Sequence, residues 1–197
     1  MTEIQAVGGG RIARDFIPVS HSHLGMLRLF LPMRDAQDNS VRWSQLREPD
    51  YEDRSSGWEE FRTNDVSVEE VSGDLSSAMG VLDEQTATAL SDHLAGLQLT
   101  ALEWVGYRGA PSGDRTVTVM GELYDTKSFT SSDIVAGNRI PGFVWDENAT
   151  FAWGSRLYPD SIVIAASPTT LRALHSDPNL DVVSIRAEDV VPFSFGD

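Results

Sequence analysis

Cysteine is absent from all 197 positions. With it go disulfide frameworks, thiolate nucleophiles and any zinc site that needs a Cys ligand. Lysine is nearly absent too, since fourteen of the fifteen basic residues are Arg and only Lys127 is Lys. No apolar run approaches the ~18 residues of a membrane-spanning helix. The start MTEIQAVGGGRIARD carries an early Glu3, no basic opening and no apolar stretch, so it lacks the form of a secretory leader. These absences lead to the expectation of a cytoplasmic protein. Its hydrophobic content of 41% is enough for a packed core, because a chain of this size buries about 70% of its unfolded surface.

Positive charge is also scarce. The net charge is −15, and it is unevenly spread. Residues 48–84 hold twelve acids against Arg54 and Arg62, net −10, whereas residues 1–47 are net +2 and residues 85–197 net −7. A phosphate backbone would repel such a surface, which argues against nucleic acid, and anionic membranes are disfavoured for the same reason.

Residues 1–10, with Gly8-Gly9-Gly10, read as a flexible lead, and residues 11–197 as a single domain interrupted by the acidic connection at 48–74. Pro18 and Pro32 break the apolar runs FIPV and MLRLFL into strand and turn. SVRWSQL suggests a short helix with Ser40 as N-cap. LDEQTATALSDHLAGL (82–97) is the clearest helix. Asp83 is its candidate N-cap, and Leu90, Leu94 and Leu97 recur at i, i+4, i+7. TALEWVGY (100–107) alternates, with Leu102 and Trp104 on one face and Ala101 and Glu103 on the other. RTVTVMGELYD reads as one strand with a bulge or tight bend at Gly121. PGFVW and TFAWGS form a hairpin about the turn DEN. SIVIAAS is a buried strand, and Ser167-Pro168 opens the helix TTLRALHS, with Pro168 suited to the first helical position. LDVVSIR (180–186) is the last strand. Strands and helices mix without regular βαβ alternation. The fold class is therefore α+β, a mainly antiparallel sheet with two or three packed helices.

No catalytic signature stands out. His21 and His23 offer two imidazoles at i, i+2, but no third ligand follows at metal spacing, and they read as polar turn histidines. Asp160-Ser161 has no Gly-x-Ser-x-Gly elbow around it and reads as turn chemistry. Gly8-Gly9-Gly10 lacks the Gly-Lys-Ser/Thr of a phosphate loop. No catalytic residue, metal or cofactor is assigned. Two surfaces remain as candidates. The acidic connection, with Glu52, Asp53, Glu59 and Glu60 around the aromatic anchors Trp58 and Phe61, would suit a basic protein partner. Trp104, Trp145 and Trp153 could instead line an aromatic pocket for a small molecule or a substrate.

VRWSQL (41–46), the helix at 83–96, LEWVGY (102–107), FVWDENATFAW (143–153), DSIVIAAS (160–167) and LHSDPNLDVVSI (174–185) occur in that order. This succession resembles a large family of uncharacterised proteins from high-GC Gram-positive bacteria. That family carries Asp-Ser-x-x-Val-Gly-Gly-Ser where this chain has Ala165-Ala166 for the glycine pair, and a Pro and an Arg where this chain has Asp146 and Ala149. The resemblance implies a soluble intracellular α+β protein and brings no activity. The leading expectation is a non-catalytic protein-binding module of immunity or inhibitor type that acts through its acidic surface. The alternative is a small-molecule-binding protein or enzyme with a Trp-lined pocket.

Overall fold

The computed structural model describes residues 12–47, 49, 53–54, 75–107 and 115–192. One inner strand of its main sheet is β10 (Ser161–Ala166), in which every residue is buried. A strand covered on both faces needs no polar alternation, which is why SIVIAA is nearly continuous in apolar side chains. β10 lies between β1 (Gly25–Phe30) and β9 (Phe151–Gly154). The full sheet adds β8 (Phe143–Asp146), β5 (Leu99–Trp104), β7 (Glu122–Phe129), β6 (Thr116–Val119) and β11 (Val182–Ile185), in the order β11-β1-β10-β9-β8-β5-β7-β6. Every pairing is antiparallel. A second sheet is formed by β2 (Met33–Arg34) between β3 (Ser40–Val41) and β4 (Ser76–Ser77). With the helices below, this is the α+β architecture expected.

Period-two alternation sends side chains to two cores. One face carries Leu27, Leu29, Ile162, Ile164, Phe151, Trp153, Val144 and Leu99. It is closed by Leu90 from α2 (Glu84–His93), by Leu94 at the C-cap of that helix and by Leu174 from α3 (Pro168–His175). Both helices start where sequence signals place them. The Asp83 carboxylate accepts from the Thr86 N–H at 2.8 Å, and Ser167 caps α3 with Pro168 following. The other face carries Met26, Phe30, Val163, Ala165, Ala152, Phe143, Trp145 and Leu102. Here the cover is irregular: Phe16 and Ile17, Met33, Val191, and Trp43 from α1 (Trp43–Leu46).

Three local expectations change. The residue before α1 is Arg42, whose N–H donates to Gln45 Oε1 at 2.7 Å, while Ser40 is drawn into β3. RTVTVMGELYD is two strands instead of one. Met120 and Gly121 both have positive φ, 51° and 84°, which a two-residue hairpin turn requires, so β6 folds back on β7. His21 to His23 lie in the turn before β1, and His21 is fully buried. No helix among the described residues is long and apolar enough to cross a membrane.

Candidate functional site

At the end of β5, Trp104 points to the same face as Leu102 but lies at its margin, half-buried. The chain then enters a 3₁₀ turn, Val105–Tyr107, that carries Tyr107 back over the indole. Tyr158 arrives from the loop between β9 and β10. Ring centroids are 5.1 Å apart for Trp104–Tyr107, 5.7 Å for Trp104–Tyr158 and 5.7 Å for Tyr107–Tyr158. All three contacts are edge-to-face, the geometry in which one ring's positive rim meets another's negative face. The Arg139 guanidinium lies 4.4 Å from the Tyr107 centroid and 5.4 Å from that of Tyr158. Its Nε donates to the Met79 carbonyl at 2.7 Å, which holds the cation in place.

Hydrogen bonds orient the rings. Trp104 Nε1 donates to Glu122 Oε2 at 2.9 Å, and the Tyr158 N–H donates to the Tyr107 hydroxyl at 3.4 Å. Burial pushes the Tyr107 phenol up, more than the Tyr158 hydrogen bond and the Arg139 charge bring it down, so it is neutral at physiological pH. Tyr158 has φ 53°, a left-handed conformation that costs a non-glycine residue of order 1 kcal/mol or more. Gly106 has no room for a side chain while Trp104 keeps its place, because a Cβ would lie 2.2–2.5 Å from three atoms of the indole. The result is a solvent-facing group of one Trp, two Tyr and one Arg, with Glu122 hydrogen-bonded at its edge. Close by, Glu103 pairs with Lys127 at 3.0 Å.

The three tryptophans proposed to share a pocket are separated. Across the β8–β9 hairpin Val144 opposes Trp153 and Trp145 opposes Ala152, so the two indoles leave opposite faces of the sheet. Trp153 is fully buried with the helices, its Nε1 donating to the Pro141 carbonyl at 3.1 Å. Trp145 is buried on the other face, and only Trp104 reaches the surface cluster. What was not legible was the meeting of Trp104 with Tyr107, Tyr158 and Arg139, which come from three separate parts of the chain.

Of the acidic-connection residues, Glu52, Trp58, Glu59, Glu60 and Phe61 lie outside the described residues. Asp53 is described, and it is not a free surface carboxylate. It is buried, with its two oxygens accepting from Arg47 Nη1 and Nη2 at 2.9 and 2.8 Å. The carbonyls of Asp53 and Arg54 accept from Nη1 of the buried Arg28 at 3.3 and 3.4 Å. Asp125, Asp146, Asp160 and Asp181 are buried as well. Part of the negative charge therefore works as internal connectors: Arg42 Nη2 meets Asp181 Oδ1 at 2.6 Å with both residues buried.

The remaining chemical residues do not converge on a metal. His21 binds Asp146, and His93 Nε2 lies 2.8 Å from Asp177. Among the described residues no group of three His, Asp or Glu side chains could hold a metal ion. Ser161 Oγ donates to Asp160 Oδ1 at 3.1 Å and accepts from Arg28 Nε at 3.0 Å, which is structural use of the Asp-Ser pair. Beside it is a cavity of about 20 Å³, room for about one water. Shallow open grooves of about 560 and 340 Å³ flank Asp177. No protein-family model matches the chain, and no curated protein or solved structure matches it.

Proposed function

We propose that this protein is a binding module for a basic segment of another protein, anchored at Trp104, Tyr107, Tyr158 and Arg139. One observation carries the reading. The side chains that gather at this surface are Trp, Tyr and Arg, the types that supply most of the energy at protein interfaces. Their edge-to-face contacts hold them in place before any partner arrives, which lowers the entropy cost of binding. The net charge of −15 selects the partner's sign. Long-range attraction of a Lys- or Arg-rich segment would raise the encounter rate by 10- to 1000-fold. In this reading the acidic connection steers and the aromatic group anchors. A cytoplasmic setting, an immunity or inhibitor role, and membership of the high-GC Gram-positive family belong to the same proposal, as does the exclusion of nucleic acid by like charge.

The test uses a labelled Arg-rich peptide, its Glu-rich counterpart and fluorescence anisotropy at two salt concentrations. The Arg-rich peptide should bind and the Glu-rich one should not. Tyr158→Ala, which removes an exposed ring, should weaken binding at least tenfold at both salt concentrations. Neutralising Glu52, Glu59 and Glu60 should slow association and leave dissociation nearly unchanged. Equal affinity for Tyr158→Ala and the parent protein would reduce the interaction to general charge attraction and reject the anchor.

A further inference from the structure

Ser20, His21 and Asp146 form a hydrogen-bonded chain apart from the aromatic anchor. His21 is 1% exposed. Its Nε2 lies 3.0 Å from Asp146 Oδ1, and its Nδ1 lies 2.9 Å from Ser20 Oγ. Ser20 is exposed on the 3₁₀ turn Val19–His21, so the chain runs from the interior to solvent.

The proton positions follow from the acceptors. Besides His21, Asp146 Oδ1 receives the N–H groups of Thr150 and Phe151 at 2.8 and 3.0 Å, and Oδ2 receives the Thr150 hydroxyl at 2.6 Å. Burial would raise this carboxyl, but the hydrogen bonds from Thr150, Phe151 and His21 outweigh it and hold it below the ordinary value. Asp146 is therefore ionised and has no proton to give. His21 must carry its hydrogen on Nε2. In the neutral ring the Nδ1 lone pair then faces Ser20, and the Ser20 hydroxyl donates to it. A serine donating to a neutral imidazole whose other nitrogen is fixed by a carboxylate is the arrangement that activates a hydroxyl. Relative to the usual order, the two ring nitrogens have exchanged partners.

We propose that Ser20 is a nucleophile toward activated acyl esters, with His21 as its general base and Asp146 as the positioning carboxylate. Oγ bonds to the ester carbonyl carbon while its proton passes to His21 Nδ1. The tetrahedral adduct then collapses, the carbon–oxygen bond to the leaving group breaks, and Nδ1 returns the proton to the departing oxygen. Water attacks the acyl-serine in the same way. It gives one proton to Nδ1, and that proton restores the Ser20 hydroxyl as the acid leaves. The surroundings set the substrate class. Val19 is 57% exposed and Ser22 and His23 are exposed, so little surface grips a substrate and a good leaving group must do the rest. Aryl esters meet that condition. This site is independent of the aromatic anchor, and neither proposal depends on the other.

A fluorophosphonate probe and p-nitrophenyl acetate test it on the full chain. One adduct per chain is expected, mapped by mass spectrometry to Ser20. Ser20→Ala, a surface change with an unaltered melting curve, should lose the adduct and the ester hydrolysis, while Ser22→Ala keeps both. Asp146→Asn should lower the labelling rate at least 100-fold, because the amide can donate to Nε2 and so move the hydrogen to Nδ1. A purely structural role for Asp146 would leave the labelling rate of the folded variant unchanged. An adduct elsewhere, no adduct, or unaltered hydrolysis by Ser20→Ala would overturn the proposal, whatever the stability of the Asp146 variant.

Discussion

Gly106→Ala is the sharpest perturbation of the surface cluster, because it adds one methyl group and removes nothing. A Cβ at 106 would overlap three atoms of the Trp104 ring. The indole must then swing away. It gives up edge-to-face contacts with Tyr107 and Tyr158, each worth about 0.5–1.5 kcal/mol. It also gives up the Nε1 bond to Glu122, worth about 1 kcal/mol net, or somewhat more because its acceptor is a carboxylate. The expected loss is roughly 2–4 kcal/mol. In a protein of this size each kcal/mol moves the melting temperature by about 2–4 °C, so the melting temperature should fall by about 4–16 °C. Calorimetry and urea denaturation measure it, and red-shifted tryptophan emission reports the exposed indole. Gly96→Ala is the control. Its backbone is left-handed at φ 81° with open space around it, so it reports backbone strain without any ring displacement. If Gly106→Ala melts with the parent protein and its emission is unchanged, Trp104 is not fixed in the way described. If the variant is destabilised yet still binds the Arg-rich peptide with full affinity, the cluster is structural only.

Two further outcomes concern the internal charges. Arg42→Ala leaves Asp181 buried without its cation and should cost about 3–5 kcal/mol in urea denaturation. Replacing both partners by apolar residues of similar volume should recover most of that loss. Asp146 and Asp177 are both held below the ordinary carboxyl value of 3.8, hydrogen bonds outweighing burial in each case. Carboxyls depressed in the folded state stabilise fully above the unfolded value, and this stabilisation disappears as pH falls through the folded value. The contribution of these two carboxyls to the urea midpoint should therefore be lost steeply below about pH 4. Asp177→Asn, which takes one of the two carboxyls out of the titration, should flatten that fall.

How much of this could be read beforehand depends on the range of the interaction involved. The helix at 84–93, its Asp83 cap, the Ser167-Pro168 start of the next helix, the β8–β9 hairpin and the buried strand 161–166 rest on neighbours a few residues apart. Short spacings carry such signals directly. The Met120-Gly121 hairpin was missed because Met rarely adopts the positive φ that it has here, so only Gly121 signalled a turn. Period-two alternation placed Leu102 with Trp104 correctly. It said nothing of Arg139, which reaches the cluster through the Met79 carbonyl.

The sequence by itself determined the sign of the charge, the absence of thiol chemistry and the alternation that builds two cores from one sheet. Only the tertiary structure decided which carboxylates are connectors and which aromatic rings meet. Arg42 reaches Asp181 across 139 positions and His21 reaches Asp146 across 125. Pairs that distant are set by strand order and register, which arise when the whole sheet closes, and no local spacing encodes them.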